Sequence, residues 1–147
     1  MKFSEHFTLA ELTVSQEAAR RGLPNEPPAE LMPALRRTAE GLDRIRDFLG
    51  APVIVTSGYR SATVNALVGG AGASQHTRGE AADIIAPDFG TPAEVAQAIA
   101  GAIEELDVDQ VILEFGRWVH VSFSVAPRHA VLTIRSAGEG YQKGIVT

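Results

Sequence analysis

Leu31, Leu35, Thr38, Leu42, Ile45 and Leu49 recur at alternating steps of four and three, which is one face of a helix. The spacing predicts a helix from about Pro28 to Leu49, stopped by Gly50 and Pro52. Its charged positions, among them Arg36, Arg37, Glu40 and Asp43, fall mostly off the stripe and make a solvated outer face. A second stripe, Val95, Ile99, Ile103 and Leu106, follows Thr91-Pro92-Ala93-Glu94, a capping box with proline at the first helical position. Shorter helices are expected over Thr13–Gly22 and Ala62–Val68, and Leu23 to Pro28 is a proline-rich linker.

Elsewhere the period shortens to two. Val53–Thr56 is a β-branched run, and Ala81–Ile85, Gln110–Glu114, Trp118–Ser124 and a segment near Val131–Ile134 are expected strands. Helices first and strands clustered later predict an α+β domain, with a mainly antiparallel sheet and helices packed on it. In Trp118–Ser124 the apolar Val119, Val121 and Phe123 take one face, and Trp118, His120, Ser122 and Ser124 take the other. A three-residue connection, Phe115-Gly116-Arg117, pairs Glu114 with Trp118 and sets Glu114 on the face of His120; a two-residue turn would put it on the wrong one.

Composition narrows the chemistry. The chain has 147 residues, 45% hydrophobic and 21% charged, as expected of one soluble domain, residues 1–147, with an N-terminal helical approach and linker over 1–27. Thirteen basic against eighteen acidic residues give a charge of -5, which disfavours a nucleic-acid partner. With no cysteine, disulfides and thiolate metal sites are excluded, so any metal must be held by His, Asp or Glu. No signal peptide is read at Met1–His6, and no apolar run reaches the ~20 residues of a membrane helix. Synthesis in the cytoplasm without membrane insertion is expected.

The densest candidate chemistry lies in Ser74-Gln75-His76-Thr77-Arg78-Gly79-Glu80-Ala81-Ala82-Asp83. His76 and Asp83 stand too far apart for adjacent turns of one helix, but suit a turn feeding a strand. Both are zinc-ligand types, and a catalytic zinc commonly takes three protein ligands and keeps one open position. His120, on the polar face of its strand, is a reasonable third ligand; taken alone it is an ordinary surface or hydrogen-bonded histidine. Glu114 reads as a general base beside such a metal, or as a solvent-exposed strand end. Gly69-Gly70-Ala71-Gly72-Ala73 lacks the ending of a phosphate-binding loop and reads as a flexible loop approaching the site. His6 and His129 read as surface histidines.

The run Ser57-Gly58-Tyr59-Arg60-Ser61, Asn65, Val68-Gly69-Gly70, Ser74-Gln75-His76, Gly79, Ala82-Asp83 and Trp118-Val119-His120 resembles the zinc D-Ala-D-Ala carboxypeptidase family, grouped with hedgehog-like and lysostaphin-like peptidases. The likeness extends from about Phe7 to the end. It implies one zinc ion held by His76, Asp83 and His120, and Glu114 as the base acting on zinc-bound water. It further implies Arg60 holding substrate or transition state, Ser74 near the substrate carboxylate, and Trp118 on the substrate side. Many bacterial relatives carry the base where this chain has Arg117, and others carry a histidine where it has Trp118. The implied function is hydrolysis of peptidoglycan stem peptides, of carboxypeptidase or endopeptidase type. A monomer is expected to act on the cell wall after release or delivery, as phage lysis or particle-borne enzymes do. The alternative is a module on the same scaffold that keeps zinc for stability and binds without cutting.

Overall fold

A computed structural model describes residues 2–70 and 74–147, so the centre of the expected glycine-rich loop, residues 71–73, lies outside the described residues. The long apolar stripe forms α3, Met32–Leu49, which buries Leu35, Thr38, Ala39, Leu42, Ile45 and Leu49. The preceding turn, Ala29–Leu31, is 3-10 rather than α. Pro33 accounts for this: it has no N–H to bond back into that turn, and its ring crowds the carbonyl four residues earlier. Gly50 ends α3 at φ 65°, donating to the Arg46 carbonyl.

The N-terminal approach divides into α1, Leu9–Leu12, and α2, Gln16–Arg21. The first is set by a capping box between Thr8 and Glu11, and the second is capped by Ser15. The expected linker is irregular but not loose. Asn25 donates to the carbonyls of Thr13 and Tyr59 and accepts from the Ser61 amide, tying the linker to the turn before α4, Ala62–Leu67. The capping box at Thr91 and Glu94 opens α5, Pro92–Gly101. That helix stops before Ile103 and Leu106, yet Leu106 is still buried, in the turn that follows.

Among the described residues, six strands form one sheet: β1 (Ile54–Ser57), β2 (Ala81–Ile85), β3 (Gln110–Glu114), β4 (Trp118–Ser122), β5 (Ala130–Ile134) and β6 (Tyr141–Lys143). Their order across the sheet is β1-β2-β4-β3-β5-β6. Every neighbouring pair is antiparallel except β3 and β5. The α+β class and the mainly antiparallel sheet are therefore as the pattern predicts.

One face of the sheet packs into the core. Ala82, Ile84, Val111, Leu113, Val119 and Val121 meet Leu42 and Ile45 of α3 and Val95 and Ile99 of α5 in one apolar cluster. Burial at roughly 25 cal/mol per Å2 of apolar surface is the dominant stabilising force in such a layer. Close approach is enforced at Gly41, where a Cβ would fall 2.3 Å from the Phe123 ring. The opposite face presents Asp83, His120, Ser122, Gln110, Ile112 and Glu114, by the strict alternation of a strand. The outward face of β4 is not solvated as a polar surface would be: His120 is 8% exposed and Ser122 is fully buried, because loops cover it. Among the described residues, no helix is long and apolar enough to cross a membrane.

Candidate metal centre

Asp83 and His120 are brought together by strand register. They are direct partners across β2 and β4, on the face turned away from the core. A bulge in β1 between Val55 and Ser57 lies opposite Asp83, and Thr56 Oγ1 donates to the Asp83 carbonyl. His76 reaches the same point from a 3-10 turn, Gln75–Arg78, that leads directly into β2. Ser74 caps that turn by accepting from the His76 amide, and Gly79 ends it at φ 72°. Thr38 Oγ1 of α3 donates to the Gly79 carbonyl at 2.7 Å, anchoring the turn from below.

The three side chains converge. One ligand atom from each of His76, Asp83 and His120 lies within 4.8 Å of the others, and all three residues are buried. Asp83 Oδ1 stands 3.3 Å from His76 Nε2 and 3.4 Å from His120 Nδ1. The two imidazole rings meet edge to face, centroids 5.1 Å apart. Asp83 Oδ1 is nevertheless a buried atom without a hydrogen-bond partner. Such an atom is costly unless something else satisfies it, and a cation between carboxylate and imidazoles would do so. Burial alone would raise the Asp83 carboxyl, but the neighbouring imidazoles outweigh it and hold the group well below the usual carboxylate range.

Second contacts orient these groups. His76 Nδ1 lies 2.9 Å from the Gly58 carbonyl oxygen, so a proton there leaves Nε2 free to act as a ligand atom. A Cβ at Gly58 would fall 2.1 Å from the Leu12 carbonyl oxygen, so only glycine fits at the position whose carbonyl meets His76. Arg60 Nη2 donates to the other Asp83 oxygen at 3.4 Å, and Arg60 also reaches Ser57 and Asn65. A two-histidine, one-carboxylate donor set with a hydrogen-bonded outer layer fits zinc.

These residues lie in a cleft of about 930 Å3 that also includes Ser74, Glu114, Phe115, Trp118 and Tyr141. The three-residue connection pairs Glu114 directly with Trp118, as the parity of the hairpin requires. Phe115 and Gly116 both take positive φ, 58° and 66°, to make the turn. Trp118 Nε1 donates to Glu114 Oε1 at 2.7 Å, which holds the carboxylate on the cleft side. Burial raises the Glu114 carboxyl above its ordinary range; His120 opposes the shift and Asp83 adds to it.

Rows across the sheet give the cleft its order. Asp83, His120 and Ile112 form the middle row. Trp118, Glu114, Ile134 and Tyr141 form a largely aromatic and apolar row on one side. Ser122 and Gln110 begin a polar row on the other. Behind that polar row sits a group the sequence pattern did not single out, the fully buried Asp109. It accepts from Ser122 Oγ, Gln75 Nε2, the Arg128 amide and the Arg128 guanidinium. Burial raises this carboxyl, but the donors, Arg128 first, overcome that and hold it well below the usual range. His6 pairs with Asp47, and His129 lies 3.8 Å from Asp107; neither lines the cleft.

A family model described as Peptidase M15 matches residues 5–122, which includes every strand that contributes to the centre of the cleft. No curated protein matches the chain.

Proposed function

The chain belongs to the peptidase M15 family, and from that premise we propose that it is a zinc metallopeptidase hydrolysing amide bonds in peptidoglycan stem peptides. The observation that carries this reading is the buried, unpartnered Asp83 Oδ1 between two imidazole nitrogens on the floor of a cleft large enough for a peptide. His76, Asp83 and His120 would hold one zinc ion. Held there, zinc would supply Lewis acidity, able to polarise a carbonyl and to make water a nucleophile near neutral pH.

The remaining steps belong to the chain's own side chains. Glu114 takes a proton from the attacking water, at Oε2 because Oε1 accepts from the Trp118 indole, and passes it to the departing amine. Its raised pKa suits a group that must both accept and release a proton. Arg60 orients Asp83 by donating to its Oδ2 and presents permanent positive charge to the cleft, where an oxyanion develops. Ser74 and Trp118 contribute to the substrate side of the same cleft. The wall is reached when the protein is released or delivered to it.

Metal analysis of purified protein, with mass spectrometry of peptidoglycan digests, tests the reading. About one zinc per chain, cleavage abolished by chelator, and a Glu114→Ala protein that keeps its metal while losing roughly 10^2- to 10^4-fold in rate are expected. Cleavage retained in Glu114→Ala rejects the base. Zinc bound at full stoichiometry with no product from any wall substrate favours a binding module instead.

A further inference from the structure

The two sides of the cleft differ in chemistry, and the polar side carries a cation whose position is set by a buried anion. Asp109 engages Arg128 in a fork: Nε to Oδ1 at 3.0 Å and Nη2 to Oδ2 at 2.7 Å, with the Arg128 amide also donating to Oδ1 at 2.8 Å. Arg128 Nη2 lies 3.5 Å from Gln75 Oε1, on the turn that bears His76. Asp109 is 0% exposed, while the Arg128 side chain is 57% exposed and lines the cleft. A guanidinium held along one edge by a buried carboxylate has little freedom left to lose when its outer edge meets an anion.

We propose that Arg128 is a specificity-determining residue, a subsite that receives a carboxylate of the peptide substrate. The proposal rests on the peptidase reading. Ser122, which donates to Asp109, stands two positions along β4 from His120 on the same face, a separation of roughly 7 Å. Arg128 lies a further 3.1 Å and 2.7 Å beyond Ser122 through Asp109 Oδ2, so the carboxylate belongs to a residue within about four positions of the scissile amide, since an extended chain advances ~3.3–3.6 Å per residue. On the opposite side, Trp118 and Tyr141 offer the aromatic wall against which an uncharged part of the peptide lies. The cleft thus orients a peptide by charge, acidic side toward Arg128. Asp109 is a positioning residue in this arrangement and does not itself meet the substrate.

The test is calorimetric titration of the zinc-loaded Glu114→Gln protein, which binds without cutting, with two pairs of short peptides. One pair differs only in a free or amidated C-terminal carboxylate, and the other only in Glu or Gln within about four positions of the central amide. In one pair the free carboxylate is expected to bind roughly 10- to 100-fold tighter, which identifies its source. In Glu114→Gln/Arg128→Gln the preference falls to within about twofold, whereas Arg128→Lys keeps an intermediate preference, having charge without the fork. Thermal unfolding and zinc content accompany each variant. Should Arg128→Gln unfold, Asp109→Asn/Arg128→Gln, which leaves no buried charge unpaired, replaces it with the same expectation. No preference in either pair, no binding of any peptide, or a preference that survives loss of Arg128 overturns the proposal. Wild-type protein that cleaves nothing rejects the peptidase reading but leaves these titrations to decide the subsite. Cleavage with no carboxylate preference keeps the peptidase and discards the subsite.

Discussion

The two faces of the sheet use the same strands and are held by different forces. Toward α3 and α5, Ala82, Ile84, Val111, Leu113, Val119 and Val121 are no more than 3% exposed and need only neighbours of suitable size. Toward the cleft, Asp83, His120 and Ser122 are almost as deeply buried, yet each needs a particular partner at a particular distance. Ser122 has one in Asp109, but Asp83 Oδ1 does not. The core face is satisfied by protein alone, while on the proposed reading the cleft face would be completed by a bound metal. The apolar packing and the candidate site thereby occupy opposite sides of a layer one strand thick.

The largest test of that separation is Leu42→Ala, which removes a fully buried side chain on the core side. Urea unfolding should show a loss of about 3–5 kcal/mol, with zinc per folded chain unchanged. A parallel loss of zinc affinity in the folded protein would break the separation. Next in size is metal removal. With zinc a thousandfold above its dissociation constant, chelation should cost about 4 kcal/mol. The denaturant slope should stay the same, because the core face remains packed; a smaller slope would mean that emptying the cleft face loosens the other.

The smallest effect sharpens the comparison within the cleft face. Asp109 has a folded-state pKa below its unfolded value, so the ionised form is favoured by folding. Its contribution is complete above the ordinary carboxylate value of about 3.9 and is lost as pH falls from there toward the folded value. Asp109→Asn should therefore cost about 2 kcal/mol at pH 7, measured by urea unfolding. The gap from wild type should narrow progressively below about pH 4. A gap that is constant with pH would show that Asp109 acts by shape rather than by charge.

The same contrast explains what could be read from the chain beforehand. The stripe of α3 and the alternation of β4 announce themselves because a buried apolar face imposes its period on the sequence. The parity of the Phe115-Gly116-Arg117 connection was similarly readable, since strand geometry allows only one outcome for each loop length. Short elements gave less. α1 has a capping box but only four residues, and β6 is a three-residue edge strand with no apolar alternation. The parallel pairing of β3 with β5 leaves no local trace, because either neighbour of β3 presents similar residues. In the cleft, His76 and Asp83 stand out by residue type and spacing, whereas His120 joins them only through its strand face and the family resemblance. Asp109 does not stand out, since a buried aspartate resembles a surface one until Gln75 and Arg128 are brought to it from 34 and 19 positions away.

The pairing of β2 with β4 also sets an order in time. β3 and β4 are joined by three residues and can meet quickly as a hairpin. Asp83 must wait, because α5 and the whole of β3 lie between it and His120 along the chain. Closing that larger loop belongs to the slow, non-local part of folding. A chain still emerging from the ribosome holds His76 and Asp83 without His120, and so lacks the complete donor set. On the proposed reading, capture of a metal by all three side chains would mark a molecule whose folding has finished.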